Sequence, residues 1–228
     1  SRLGRTHGEI ERLRAANEKL QNSLINRKNA DAELDQLKSV LDLAGTAKYK
    51  VVNAKVISLG STSSFTQTIT IDAGTNNGVR QNMTVISGLG LVGVVKISYP
   101  NSALVQLTTD PAFKVGARVA GSQQIGILSG QGTSKAVLQL LDNQTTLKVG
   151  DVILARGSVN NRPFVPGVPI GQVTAVDNAA GAVTQTADVK LYVNFSALST
   201  VAVVISAPKV DPRDALVPRA PVPTPVPT

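Results

Sequence analysis

The chain has 228 residues, no Cys, a single His and a net charge of +8. The missing Cys excludes thiolate nucleophiles, thiolate metal sites and disulfides, and the lone His7 excludes a core catalytic triad and the common transition-metal ligand sets. Hydrophobic residues make up 42% and aromatics 3%, so a core of Val, Ile, Leu and Ala in thin β layers is expected, without the aromatic-rich basic patch of a nucleic-acid binder.

Residues 9–44 read as one helix, with no Pro and with Gly45 as a C-terminal stop. Apolar residues recur at Ile10, Leu13, Leu20 and Leu24, with Asn17 in the one gap, which is the a/d spacing of a coiled coil. The pattern restarts at Ala30, Leu34, Leu37, Leu41 and Ala44 after a three-residue slip at Asn26–Asn29, read as a stammer. So narrow a seam suits a second helix better than the surface of a globular core. Ile10, Leu13, Asn17, Leu20, Leu24, Leu34, Leu37 and Leu41 are therefore the expected self-association residues, and Asn17 would favour two strands. No apolar stretch reaches the roughly 18 residues of a membrane span, and no signal-peptide pattern is present. A membrane anchor, if the protein has one, is expected upstream of Ser1.

From residue 48 to 206 the composition shifts to Val, Ile, Thr and Gly in short runs between turn signals. Twelve strands are expected, at Val51–Leu59, Gln67–Asp72, Met83–Ser87, Leu91–Ile97, Ala103–Thr108 and Lys114–Ala120, then Gln124–Leu128, Lys135–Leu141, Asp151–Ala155, Pro169–Val176, Ala187–Tyr192 and Thr200–Ser206. Turns are expected at Asn76-Asn77-Gly78, Ser87-Gly88, Tyr99-Pro100-Asn101, Gly130-Gln131-Gly132 and Asp177-Asn178. Twelve short strands exceed one small barrel. The expected fold class is mostly β with one long N-terminal helix and two small barrel-like subdomains. The first spans 48–110, with a strand from 190–206 as its possible completion, and the second spans 111–206. Residues 207–228 hold seven prolines and read as a solvated, partly polyproline II linker.

No chemical motif holds up against its structural requirement. Gly88-Leu89-Gly90-Leu91-Val92-Gly93 matches a dinucleotide fingerprint, with Asp110 in place of the ribose acid, but the stretch after Gly93 is β-branched and broken at Pro100. No helix can start there to receive a pyrophosphate, so a hairpin is expected instead. Asp72, Asp110, Asp142, Asp151, Asp177 and Asp188 fall at or near strand ends, where Asp commonly caps turns. No catalytic, cofactor or metal site is expected.

Several segments of the β body resemble the MreC family, the extracytoplasmic rod-shape-determining scaffolds of bacteria. Asp72-Ala73-Gly74-Thr75-Asn76-Asn77-Gly78-Val79 with Met83-Thr84-Val85 is similar to the family's first hairpin. Gly88 to Val95 and Thr109-Asp110 come next, in the family's order. Gly126-Ile127-Leu128-Ser129-Gly130, Val149-Gly150-Asp151-Val152-Ile153 and Phe164-Val165-Pro166-Gly167-Val168-Pro169-Ile170-Gly171-Gln172-Val173 complete the set. Asn82 stands where a glycine is usual, Ala155-Arg156-Gly157 where threonine–serine–glycine is common, and Val165-Pro166-Gly167 shifts the proline. The resemblance covers roughly 10–206.

It implies a non-enzymatic scaffold, held on the extracytoplasmic side of the cell membrane by an N-terminal span absent from this sequence. Such proteins self-associate through the coiled coil as a dimer or filament. They contact a class B penicillin-binding protein and MreD, and are coupled to MreB inside the cell, with no cofactor. Expected docking loops carry Asn76, Asn77, Arg80, Arg156, Arg162 and Phe164, and strand addition at an open sheet edge is a further route to assembly. The competing reading is a periplasmic adaptor of an efflux or secretion system. The coiled coil of such adaptors is a two-helix hairpin inserted in a β domain, whereas here one helix precedes every strand.

Overall fold

A computed structural model describes residues 2–60, 67–142, 146–177 and 184–219, with side chains from residue 7 onward. One helix, α1 (Arg2–Thr46), precedes all strands. It runs through both Gly8 and Gly45 rather than stopping at the latter. The break falls at Lys48, whose φ of 57° turns the chain, and Tyr49 N–H then closes back on Ala44 O at 2.8 Å.

The strands are β1 (Lys50–Leu59), β2 (Thr68–Ile71), β3 (Thr84–Ser87), β4 (Gly90–Ser98), β5 (Ala103–Leu107) and β6 (Lys114–Val119). They continue with β7 (Ile125–Gly130), β8 (Lys135–Leu140), β9 (Val152–Ala155), β10 (Pro169–Asp177), β11 (Thr186–Leu191) and β12 (Thr200–Ser206). Every pairing is antiparallel, and the strands close two barrels, in the orders β1-β12-β3-β4-β5-β2 and β10-β11-β8-β7-β6-β9. Closure gives every strand a neighbour on each side, so among the described residues neither barrel has the edge strand on which the expected strand-addition route depends. The expected dinucleotide-like glycines form the β3–β4 hairpin, and the next element is strand β5 rather than a helix.

The first barrel is filled by Ile69, Ile71, Val85, Val92, Val95, Val105, Val201, Val203 and Met83. Its β3, β4 and β12 are apolar on both faces. Val85, Val92 and Val201 point into the barrel, while Ile86, Leu91, Val94, Ala202 and Val204 point outward into a second cluster. That cluster also takes Val40 and Ala44 of α1, Ala47 just after it, and the interior of the second barrel, including Val115, Leu128, Leu138 and Ile170. Strands buried on both faces read as continuous apolar runs, which is how β4 and β12 appear in the sequence. β12 belongs to the first barrel because its alternate residues are what that interior lacks. The second barrel therefore ends at β11, short of the expected 206.

Polar contacts fix the two barrels against each other. Thr84 Oγ1 donates to Pro163 O at 2.8 Å and accepts from Val165 N–H at 3.0 Å. Gly90 has φ 145°, and a Cβ there would collide with Pro169 O, so only glycine permits this approach. Asp110 is fully buried at the crossing from one barrel to the next. Its carboxylate accepts from Gln67 N–H at 3.0 Å and from Ala112 N–H at 2.7 Å. Gln67 also reaches the second barrel, donating from Nε2 to Gly132 O at 2.8 Å.

The Pro-rich segment requires a correction over its first part. Residues 211–217 are not a solvated linker. Leu216 is buried in the shared cluster, and Asp214 pairs with Arg118 of β6 at 2.7 Å. Composition does not reveal this, because anchoring through Asp214 and Leu216 holds a proline-bearing turn that its residue content alone would leave in solvent. Residues 220–228 and the turn expected after Asp177 lie outside the described residues.

Asp110→Ala removes the acceptor at the crossing and should lower unfolding free energy by roughly 1–3 kcal/mol. Asp110→Asn keeps one carbonyl oxygen and should cost less. Urea unfolding followed by circular dichroism checks both.

Candidate docking surfaces

The helix has two functional faces, and they explain the slip in its pattern. Gln36, Leu37, Val40, Leu43, Ala44 and Ala47 lie against the barrels. Gln36 is the polar clasp of that face. Its Oε1 accepts from Ser199 N–H, Ser199 Oγ and Thr200 N–H at 3.0, 3.0 and 3.1 Å, and its Nε2 donates to Ala197 O at 2.8 Å. Beside it, Glu33 pairs with Lys55 of β1 at 3.0 Å, and that hydrogen bond raises the Lys55 pKa above the ordinary lysine value. Tyr49 continues the attachment, its hydroxyl donating to Pro166 O at 2.5 Å, and burial, helped by the charge of Asp211, pushes that hydroxyl far above the usual tyrosine range.

Residues 7–32 of the helix are exposed all round, and beyond them only the side toward the barrels is covered. Leu13, Leu20, Leu34 and Leu41 recur in multiples of seven, with Arg27 at the missing step, and are 64%, 64%, 47% and 43% exposed. Ile10 and Leu24 flank this stripe and are exposed too, as is Asn17. On this stripe the pattern has no slip. What reads as a stammer is the addition of Leu37 and Ala44, which belong to the face packed on the barrels. Leu37, expected in the seam, is thus engaged by its own chain. A seven-residue stripe drifts about 20° per heptad on a straight helix, a drift that supercoiling around a second helix removes.

The expected docking loops separate into builders and exposed groups. Asn77 accepts from Gly74 N–H at 3.1 Å and Asn76 donates to Asn101 at 3.0 Å, so both shape the turn they sit in. Arg80 is exposed on that same end of the first barrel, beside Lys96. Arg156 and Arg162 are exposed on the second barrel, and Arg162 lies next to the end of β12. Phe164 is not available for docking. It is 6% exposed and packs edge-to-face on Phe113, with ring centroids 5.5 Å apart. In an aromatic-poor chain, one Phe with a ring partner is worth more inside the core than on a loop.

A cleft that no motif announces lies between the barrels, with a volume of about 580 Å³. Leu59, Thr68 and Leu107 line one wall, and Thr133, Tyr192 and Phe195 line the other. Its lining comes from five separate stretches of chain, so no local signal in the sequence marks it. Lys190 and Tyr192 are the titratable groups among its described lining residues, and burial pushes the Tyr192 hydroxyl upward. Of the expected strand-end carboxylates, Asp110 and Asp151 accept from backbone N–H groups of their own turns, Asp151 from Lys148 N–H at 2.8 Å. Asp72 accepts instead from Lys55 N–H of β1 at 2.6 Å. No three His, Asp or Glu side chains converge as a metal site among the described residues.

The family model described as "Rod shape-determining protein MreC, barrel core" matches residues 56–205. The cell shape-determining protein MreC of Streptococcus pneumoniae is 29% identical over 195 residues, covering 83% of this chain and 71% of its own length. A solved structure of MreC superposes with a TM-score of 0.67 at 25% identity, over 79% of this chain and 98% of that one. A chain from the complex between a penicillin-binding protein and MreC of Helicobacter pylori shares the fold, with a TM-score of 0.53 at 13% identity over 68% of this chain and 99% of that one. The match runs from within β1 to within β12 and so takes in both closed barrels, which places the chain in the MreC family of rod shape-determining proteins.

Proposed function

We propose that this chain is a non-enzymatic scaffold of the bacterial cell-elongation machinery, joining copies of itself through α1 and holding partner proteins on its barrels. The observation that carries the proposal is the exposed leucine stripe on a helix whose last turns alone are clamped to the barrels. A helix that only completed a core would not expose four leucines in register. One that was only a tether would not be fastened through Gln36 and the Glu33–Lys55 pair. Together these features make a stiff arm with a sticky side. At about 1.5 Å per residue, α1 extends roughly 68 Å. Each stripe leucine buried by a second copy contributes on the order of 1.5–3 kcal/mol.

The partners are those of the family. A class B penicillin-binding protein is the first, supported by the Helicobacter pylori complex, with MreD beside it and MreB coupled from inside the cell. The exposed Arg80, Arg156 and Arg162 are the side chains we assign to polar docking. The working location is the extracytoplasmic side of the membrane. No helix among the described residues is long and apolar enough to cross a membrane.

Leu20→Asp with Leu34→Asp should yield monomers by sedimentation velocity, with the far-ultraviolet β signal and thermal midpoint unchanged. Leu37→Asp should do the opposite, lowering the midpoint because it strips the helix from the barrels. An unchanged mass for the double variant would remove the stripe from the interface. For docking, Arg80→Glu with Arg162→Glu should weaken binding to an immobilised class B penicillin-binding protein at least about ten-fold, roughly 1.4 kcal/mol. Binding of the parent should fall as salt is raised. Equal binding by parent and variant would move the docking surface elsewhere.

A further inference from the structure

Strand β6 breaks its own alternation at Arg118. Val115, Ala117 and Val119 are buried in the second barrel, while Lys114 and Gly116, of opposite parity, are exposed. Arg118 shares that outward parity, yet it is only 5% exposed. It is covered by chain from beyond β12. Arg118 Nη1 donates to Asp214 Oδ1 at 2.7 Å and to Gln123 Oε1 at 3.2 Å, and Nη2 lies 3.7 Å from Asp211 Oδ1. The second oxygen of Asp214 accepts from Gly121 N–H at 3.0 Å. A guanidinium and a backbone N–H thus converge on one carboxylate, which is how proteins capture acidic side chains. The hydrogen bond from Arg118 holds the Asp214 carboxyl below the usual carboxylate range.

Two residues further on, Leu216 fills an apolar socket in the shared cluster. Upstream, Pro212 lies so close to Gly167 that a Cβ there would come within 2.5 Å of the proline ring, at a φ of 87°. The segment is folded within itself. Arg213 N–H donates to Asp211 Oδ1 at 2.7 Å, and Val217 N–H donates to Asp214 O at 3.1 Å. It is joined to β12 by a short bend in which Lys209 and Val210 are exposed.

We propose that the outer face of the second barrel around Arg118 is a peptide-recognition site for a carboxylate with a leucine two residues later, and that residues 211–217 are its resident ligand, bound in cis. The cation, the Gly121 amide and the leucine socket belong to the barrel. Both carboxylates and the leucine belong to the segment. While the segment is seated, its short tether gives it an effective concentration on the order of millimolar, which shuts out acidic peptides of weaker standing. The site therefore opens to another chain only when this segment lets go.

The chain has no Cys, so a spin label on Ala215→Cys, at an exposed position in the segment, reports the latch alone. The label should be immobile in the otherwise native chain and become mobile when Asp214→Asn and Leu216→Ala are added. A fluorescent peptide with the sequence of residues 209–219 should then bind the Asp214→Asn/Leu216→Ala chain at least about ten-fold more tightly than the native chain, whose site is occupied. Asp214→Asn alone leaves the leucine socket filled and keeps the core intact, and should give intermediate binding. The same peptide carrying both substitutions should bind no variant. Equal affinity for native and substituted chains, binding to neither, or a label equally mobile in both would each overturn the proposal.

Discussion

The molecule depends on one shared apolar cluster. Ile86, Leu91, Val94, Ala202 and Val204 are outward-facing residues of the first barrel, and each is buried because α1 and the second barrel come to meet it. A six-stranded barrel needs only its inner face to be apolar. Making β3, β4 and β12 apolar on both faces commits the first barrel to neighbours. Those neighbours are the last turns of the helix, through Val40 and Ala44, with Ala47 just beyond, and the second barrel, whose own interior is continuous with the cluster. Helix, first barrel and second barrel therefore form one body. The polar pins at Thr84, Gln67 and Asp110 set its geometry after apolar burial has supplied the attraction.

That single body gives the helix its use. A coiled-coil arm on a flexible joint transmits association but not orientation. Here the arm is packed along one face and clasped by Gln36, which satisfies backbone groups at Ser199 and Thr200 just where β12 begins. β12 is also the strand that closes the first barrel by pairing with β1 and β3. The end of the arm and the closing strand of the barrel thus share one set of hydrogen bonds. Any partner held on the barrels inherits a direction from whatever holds the leucine stripe.

The strands were legible in the sequence because each is a short β-branched run between Gly, Asn or Pro turns, and all twelve lie where alternation and turn chemistry put them. The helix was legible as a helix, but not its division into two faces. Leu34 and Leu37 look equivalent in a heptad count, and only the position of the barrels decides that one is exposed and the other packed. Phe164 was misread for a similar reason. A loop Phe between Pro163 and Pro166 looks like a docking group until Phe113 is seen beside it. The Arg118 site was invisible because its halves are 96 residues apart, and a proline-rich composition argues against packing unless a charge and a leucine happen to find partners. Burial by a distant segment leaves no periodicity behind.

Barrel closure carries a consequence for how such a protein assembles. Open β-sheets offer backbone edges that pair with any similar edge. Both sheets here close on themselves, so among the described residues neither barrel has an edge strand. On the proposed function, association runs through side chains: a leucine stripe with the spacing of a helix–helix seam, and arginines whose attraction is set by charge and tempered by salt. Even the acceptor of the one outward-facing buried arginine is supplied by the chain itself. The fold keeps its generic contacts satisfied within one molecule and leaves outside only contacts that discriminate, which a scaffold requires if its partners are to occupy set places.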